Sequence, residues 1–252
     1  MKKYTTKNTK GVILAGGLGT RLHPLTAIMS KQLLHVYNKP MIFYPLLVLV
    51  DAGIRDIMII VTKEHEENFK KLLGSGKDWG VKLTYQIQDK PEGIAQALIL
   101  SEKWSENSEI VLILGDNLFF GPNLNNIIKD RIMNNNGATI FCIESDNAEQ
   151  FGVVQFNDKS KVISIEEKPK IPKSNWVVTG LYIYDNKAPK YANLLKKSKR
   201  GEYEITDLNN LYLNNNQLNV QKLESDSSWL DTGTFDSLLE ASNYVKELEN
   251  KN

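Results

Sequence analysis

The chain has 252 residues, 41% of them hydrophobic and 24% charged, with 31 basic against 30 acidic side chains and a formal net charge of +1. That length buries a sizeable core as one large α/β domain or two small ones, and so even a balance carries no electrostatic footprint for nucleic acid or a membrane surface. The single cysteine, Cys142, excludes an intramolecular disulfide and a thiolate metal cluster.

The first ten residues, MKKYTTKNTK, are polar, and the VILA that follows is too short for a signal-peptide core. No apolar run reaches transmembrane length, so the cytoplasm is the expected compartment. Val12–Ala15 reads as a strand that breaks into a loop, with Gly11, Gly16, Gly17 and Gly19 falling within nine residues. Thr20, Arg21 and then Lys31 follow. A strand opening into a glycine loop exposes a row of backbone N–H groups that suits phosphate. Arg21 adds a planar charged fork and Lys31 a compact charge.

The pattern then predicts a buried helix over Pro40–Ala52, a strand over Asp56–Val61 and an amphipathic helix over Lys63–Leu73. It continues with a strand at Lys82–Gln86, a helix over Gly93–Trp104 and a buried strand at Glu109–Leu114 that runs into Gly115-Asp116-Asn117. This rhythm is that of a Rossmann-like, doubly wound, mostly parallel α/β sheet. Ligands of such sheets lie beyond the C-terminal strand ends. Cys142, within ATIFCI, reads as a buried strand residue. From Gly152 short strands come close together at Val153–Phe156, Val162–Glu166 and Trp176–Tyr184, which suggests a smaller antiparallel subdomain. Helical patterns follow near Glu204–Leu213 and Asp236–Leu248. With no repeat and no low-complexity linker, residues 1–252 are expected to form a single domain with halves of about 1–150 and 151–252.

Asp116 follows a buried strand and a glycine, and Asp231 follows Trp229-Leu230 and precedes Thr232-Gly233-Thr234. Two carboxylates from distant sequence suit one Mg²⁺, which keeps several waters and adds substrate phosphates. Each also suits a helix N-cap or a turn. In Glu166-Glu167-Lys168-Pro169 the proline is expected to hold Lys168 extended. Lys168 then suits a phosphate and Glu167 sugar hydroxyls, or the segment is a solvated charged turn. Arg200 follows the basic run 196–199, which is too short and too poor in aromatics for nucleic acid. It suits a phosphate or a solvated loop.

Two glycine patterns are decoys. Gly74-Ser75-Gly76-Lys77 lacks the P-loop spacing and reads as a turn after a helix. The first loop reads GGxG rather than GxGxxG, and neither Asp51 nor Asp56 fits the ribose-binding acid of a dinucleotide site. His23, His35 and His65 show no metal-binding spacing.

The ordered set LAGGLGTRL, SKQLL, YNKPMIFYPL, GDN, FGVVQF, EEKP, VTGLYIYD, RGEYEITD and WLDTGT resembles the sugar nucleotidyltransferases from Gly11 to about Leu248. The resemblance implies that dTTP and α-D-glucose 1-phosphate react, with Mg²⁺, to dTDP-glucose and pyrophosphate, the first reaction towards dTDP-rhamnose. It implies a nucleotide site made of Leu14, Gly16, Gly17, Gly19, Arg21, Lys31, Gln32, Gln88, Pro91, Gly93 and Asp116. Within it Gln88 meets the pyrimidine edge, and Arg21 and Lys31 meet the departing pyrophosphate. It implies Asp116 and Asp231 as the metal ligands, and Asn117, Gly152, Glu167, Lys168, Val178 and Arg200 around the sugar phosphate. Arg21, Lys31, Lys168, Asp116 and Asp231 are thereby the catalytic set. A homo-oligomer, tetramer or dimer, is implied as well, with no membrane or nucleic-acid partner.

The chain departs from the family at three places. His35 stands where proline is usual, Phe151 where tyrosine is frequent, and the chain stops at Asn252, short of the C-terminal helices that help form the feedback site of longer members. Feedback inhibition is therefore left open. So are UTP or another sugar 1-phosphate as substrate, since Gln88 suits uracil as well as thymine. A non-catalytic nucleotide-sugar-binding homologue is the other alternative, and the presence of all five catalytic candidates speaks against it.

Overall fold

A computed structural model describes residues 8–224 and 226–251. β1 (Thr9–Ala15) ends at the glycine loop, and three single 3₁₀ turns lead to a small hairpin, β2 (His35–Val36) and β3 (Lys39–Pro40). Pairing of Pro40 with His35 takes the proline into a strand, so α1 (Phe43–Asp51) starts three residues later than its apolar pattern suggests. Pro45 falls in the first turn of α1, where its missing N–H breaks no helical bond. β4 (Asp56–Val61) matches its expected bounds. α2 (Glu66–Leu73) starts after a turn closed by the His65 N–H donating to the Thr62 carbonyl, rather than at Lys63. β5 is Lys82–Ile87.

α3 (Gln96–Ser105) also starts late, because the Ala95 N–H donates to the Tyr203 carbonyl instead of into a helical turn. β6 (Glu109–Leu114) is followed by β7 (Asn117–Phe120), α4 (Leu124–Asn134), and β8 (Ala138–Glu144), which carries the buried Cys142. β9 (Gly152–Phe156), β10 (Val162–Glu167) and β11 (Trp176–Tyr184) occupy the three strand patterns of the second half. α5 (Ala188–Asn193), α6 (Ile205–Asn214), β12 (Leu218–Lys222), β13 (Ser228–Asp231) and α7 (Phe235–Asn250) complete the chain.

The chain divides into two compact units that interleave in sequence. One comprises, of the described residues, Lys10–Pro91, Ile113–Lys129 and 226–251. In it β1 and β5 flank β4, both pairs parallel, with Gly11 opposite Ile57 and Val61 opposite Ile87. Ile57 to Val61 are all buried, as a strand covered on both faces requires. Each such side chain contributes roughly 1.5–3 kcal/mol of transfer free energy before chain entropy is set against it. A second cluster joins Leu22 and Leu34 from the segment after the glycine loop to Tyr44, to Leu118 on β7, and to Ala241 and Val245 on α7. The Thr234 hydroxyl caps α7 by accepting the Ser237 N–H, with the Ser237 side chain returning to the Thr234 N–H.

The other unit comprises, of the described residues, 8–9, Glu92–Leu112 and 130–224. β9 pairs antiparallel with β10 and β11, β11 antiparallel with β8, and β12 parallel with β8. α6 packs on β10 and β12, and α3 on α5. The architecture is α/β, with Rossmann-like parallel strands and a mainly antiparallel ladder. Among the described residues no helix is long and apolar enough to cross a membrane.

Two outcomes follow from this packing. Gly137 has φ +104°, and a Cβ there would lie 2.3 Å from the Gln217 carbonyl oxygen. Gly137→Ala should lower the urea midpoint by an amount worth ~1–3 kcal/mol. Burial pushes the Cys142 thiol up to about 12. At pH 8 the native protein should therefore leave an aromatic disulfide reagent unreacted, and release one thiol per chain only after denaturation.

Candidate active site

The glycine loop leaves β1 at its C-terminal end. Gly19 is left-handed, with φ +61°, and its carbonyl accepts the Leu22 N–H and the Thr26 hydroxyl. A Cβ on Gly19 would lie 2.9 Å from Thr26 and 3.0 Å from Lys31 Cβ, so a glycine here lets the Lys31 segment fold back against the loop. A Cβ on Gly16 would lie 1.9 Å from Gln88 Oε1, which brings the expected base-reading glutamine directly against the loop backbone. Gln88 extends β5 through its N–H to the Val61 carbonyl, and it is 2% exposed. Gln32 is buried, its side-chain oxygen fixed by the Ser30 hydroxyl at 2.7 Å.

Asp116 lies in the two-residue turn between β6 and β7. The Gly115 N–H donates to the Leu14 carbonyl, tying this turn to the end of β1. Lys31 Nζ is 2.6 Å from Asp116 Oδ2, and Asn117 Nδ2 is 3.0 Å from Oδ1. Asn117 is itself held, its Oδ1 accepting Trp229 Nε1–H at 2.7 Å. β13 pairs antiparallel with β7 so that Asp231 stands opposite Asn117, one residue from Asp116. Thr232, fully buried, donates its hydroxyl to the Asp116 carbonyl at 2.8 Å. Neither Asp116 nor Asp231 caps a helix; Thr234 is the cap of α7. Gly233 lies against Arg21, since a Cβ there would come 2.6 Å from Arg21 Nη2.

Leu14, Gly16, Gly17, Gly19, Arg21, Lys31, Gln32, Gln88, Pro91, Asp116, Asn117 and Asp231 thus belong to one compact unit. Its two neighbouring carboxylates are not joined by a third His, Cys, Asp or Glu among the described residues. That donor set suits Mg²⁺, which takes one or two carboxylates and fills its octahedron with water and phosphate oxygen.

Gly93, Gly152, Glu167, Lys168, Val178 and Arg200 belong to the other unit. Gly93 packs on the backbone of Tyr203. Around Gly152, a Cβ would meet Thr206, Glu167 and Val178, which places these side chains together. Glu167 ends β10, and its Oε2 accepts the Thr206 hydroxyl at 2.6 Å. Arg200 Nη2 lies 2.8 Å from Glu204 Oε2, 3.4 Å from Glu167 and 3.5 Å from Glu202. Burial, followed by the Glu204 and Glu167 charges, raises the Asp207 carboxyl above its usual range.

Lys168 is not extended as its proline neighbour suggests. Its φ is +46°, and its N–H donates to the Phe151 carbonyl, closing the end of the β9–β10 pair. The proline rule disfavours the right-handed helical region, and the chain turns through the left-handed one instead. A non-glycine residue there costs on the order of 1–3 kcal/mol.

Four side chains that hold these sets were not singled out as site residues from the sequence: Trp229 and Thr232 in WLDTGT, and Glu204 and Thr206 in RGEYEITD. The signal was present, since each stands inside a motif that carried the resemblance. Their action on neighbours 4 to 116 positions away was not readable from spacing.

The family model described as "Nucleotidyl transferase" matches residues 10–247. The chain belongs to the nucleotidyl transferase family. Among similar nucleotidyl transferases, the glucose-1-phosphate thymidylyltransferase of Neisseria meningitidis serogroup A is 52% identical over 241 residues, covering 96% of this chain and 84% of the relative. The enzyme of the same name from Mycolicibacterium smegmatis is 51% identical over 240 residues, covering 95% and 83%. A crystal structure from Bacillus anthracis, of a protein assigned as a glucose-1-phosphate thymidylyltransferase and complexed with a sucrose, superposes with a TM-score of 0.88 at 44% identity, covering 95% of this chain and 96% of that one.

Proposed function

We propose that this nucleotidyl transferase is a glucose-1-phosphate thymidylyltransferase, which joins dTTP and α-D-glucose 1-phosphate into dTDP-glucose and releases pyrophosphate. The observation that carries the chemistry is the gathering of Lys31, Asp116, Asn117 and Asp231 at the ends of β1, β7 and β13, with Arg21 alongside at Gly233. Relatives of this name at about half identity over nearly the whole chain support the substrate pair.

The glycine loop and Gln88 hold the nucleotide, with Gln88 reading the pyrimidine edge. Lys168 and Arg200 meet the sugar phosphate, and Glu167 accepts from sugar hydroxyls. The phosphate monoester is already an anionic nucleophile near neutral pH, so no side chain has to remove a proton. Its oxygen attacks the α-phosphorus, the bond to the bridging oxygen breaks, and pyrophosphate leaves. Positioning and charge stabilisation supply most of the rate in such a transfer. Arg21 and Lys31 balance the charge that builds on the departing pyrophosphate. Asp116 and Asp231 would hold Mg²⁺, which when bound neutralises phosphate oxygens in the reacting triphosphate.

Pyrophosphate release over a matrix of nucleoside triphosphates and sugar 1-phosphates tests this reading. A dominant dTTP and glucose 1-phosphate cell is expected; a dominant UTP cell would reassign the base, and silence in every cell would leave a binding protein. Asp116→Asn and Asp231→Asn should each abolish turnover in a protein with unchanged circular dichroism, and near-normal metal-dependent activity in either would remove it from the ligand set. Gly233→Ala should displace the Arg21 fork. Loss of one charge-assisted phosphate contact of about 1.5–3 kcal/mol predicts a roughly tenfold or greater loss of dTTP affinity by calorimetry.

A further inference from the structure

Both carboxylate oxygens of Asp116 carry donors, the Lys31 ammonium on Oδ2 and the Asn117 amide on Oδ1. The two donors differ in freedom. Asn117 is 3% exposed and anchored by Trp229, whereas Lys31 reaches Asp116 on a flexible four-carbon stem. A divalent ion taken up by Asp116 therefore competes with Lys31. Two cations on one carboxylate oxygen repel at close range, and more strongly where little water screens them. Lys31 is only 5% exposed, so an ammonium pushed off Asp116 has no ready access to solvent. A buried charge deprived of its partner is costly unless another anion replaces it.

We propose that Lys31 competes with the divalent ion for Asp116 and thereby couples metal binding to nucleotide binding. The triphosphate supplies the anion that draws the ammonium off the carboxylate, so ion and nucleotide each bind tightly only with the other. This rests on the reading of Asp116 as a metal ligand, and it adds a second role to Lys31 beyond its contact with pyrophosphate. Linkage makes the effect reciprocal: whatever factor dTTP lends to ion affinity, the ion lends to dTTP affinity.

The test uses Mn²⁺, a paramagnetic ion with similar oxygen-ligand preferences, titrated into the full chain without nucleotide and followed by electron paramagnetic resonance. Lys31→Met should bind Mn²⁺ at least tenfold more tightly than the natural protein, because the competing charge is gone, while Lys31→Arg should stay weak. Equal or weaker binding by Lys31→Met overturns the proposal. In parallel, the factor by which Mn²⁺ improves dTTP binding should be large in the natural protein and shrink to a few-fold or less in Lys31→Met. An unchanged factor also overturns it. Adding Asp116→Asn to Lys31→Met should abolish the tightened binding, and its survival would place the ion elsewhere and overturn the coupling. None of these titrations depends on turnover. Failure of the coupling with normal pyrophosphate release would leave the proposed reaction standing, whereas a silent substrate matrix would strike the reaction itself.

Discussion

Asp116 has to be satisfied at every polar atom that the turn between β6 and β7 half-buries, and the surrounding segments are arranged to do so. Its carbonyl takes the Thr232 hydroxyl, and its carboxylate takes Lys31 and Asn117. Asn117 in turn takes the Trp229 ring N–H. Segments that begin near residues 31, 116 and 229 are thus tied through one short turn. An unpaired buried donor or acceptor costs about 1–3 kcal/mol, so several such bonds together fix where the β7–β13 pair can sit. The apolar contacts of Leu22, Leu118 and Val245 beneath it supply the burial that makes the polar arrangement affordable.

The two units distribute charge in opposite ways. Around the glycine loop the Lys31 ammonium lies on the single carboxylate of Asp116, and the Arg21 fork lies against Gly233. In the other unit Arg200 is surrounded by Glu167, Glu202 and Glu204, and Glu167 is aimed by Thr206. In the proposed reaction such a surround would accept from the hydroxyls of the sugar, while Lys168 and Arg200 would meet its phosphate. The left-handed turn at Lys168 belongs to the same end of β10, where backbone strain is offset by the hydrogen bond to Phe151.

Much of the fold was legible from the sequence. β4, β6 and β11 fall on the bounds their apolar runs suggest, because a strand buried on both faces leaves a continuous signal. Helix starts were less legible. α1, α2 and α3 each begin about three residues late, and in each case the cause is a partner distant from the periodic pattern or a turn that precedes it: the β2–β3 hairpin, the Thr62–His65 turn, and the Tyr203 carbonyl. β7 and β13, four residues each, lie too close to glycines and turns to read as strands, yet they bring Asp231 opposite Asn117.

The sequence by itself determined the residue types and their order: a glycine loop that ends a strand, two cations after it, two aspartates after apolar runs, and motifs specific enough to imply a family. These are local properties, carried by composition and period. Only the tertiary structure decided that Lys31 lies on Asp116, that Asp231 is its neighbour through strand pairing, that Arg200 is held by three carboxylates, and that Lys168 turns left-handed. The physical reason is the same for each. A side chain's partner is chosen by which distant backbone segment can satisfy its buried polar atoms, and that choice is made when the strands pair and the helices pack, not by the residues on either side of it.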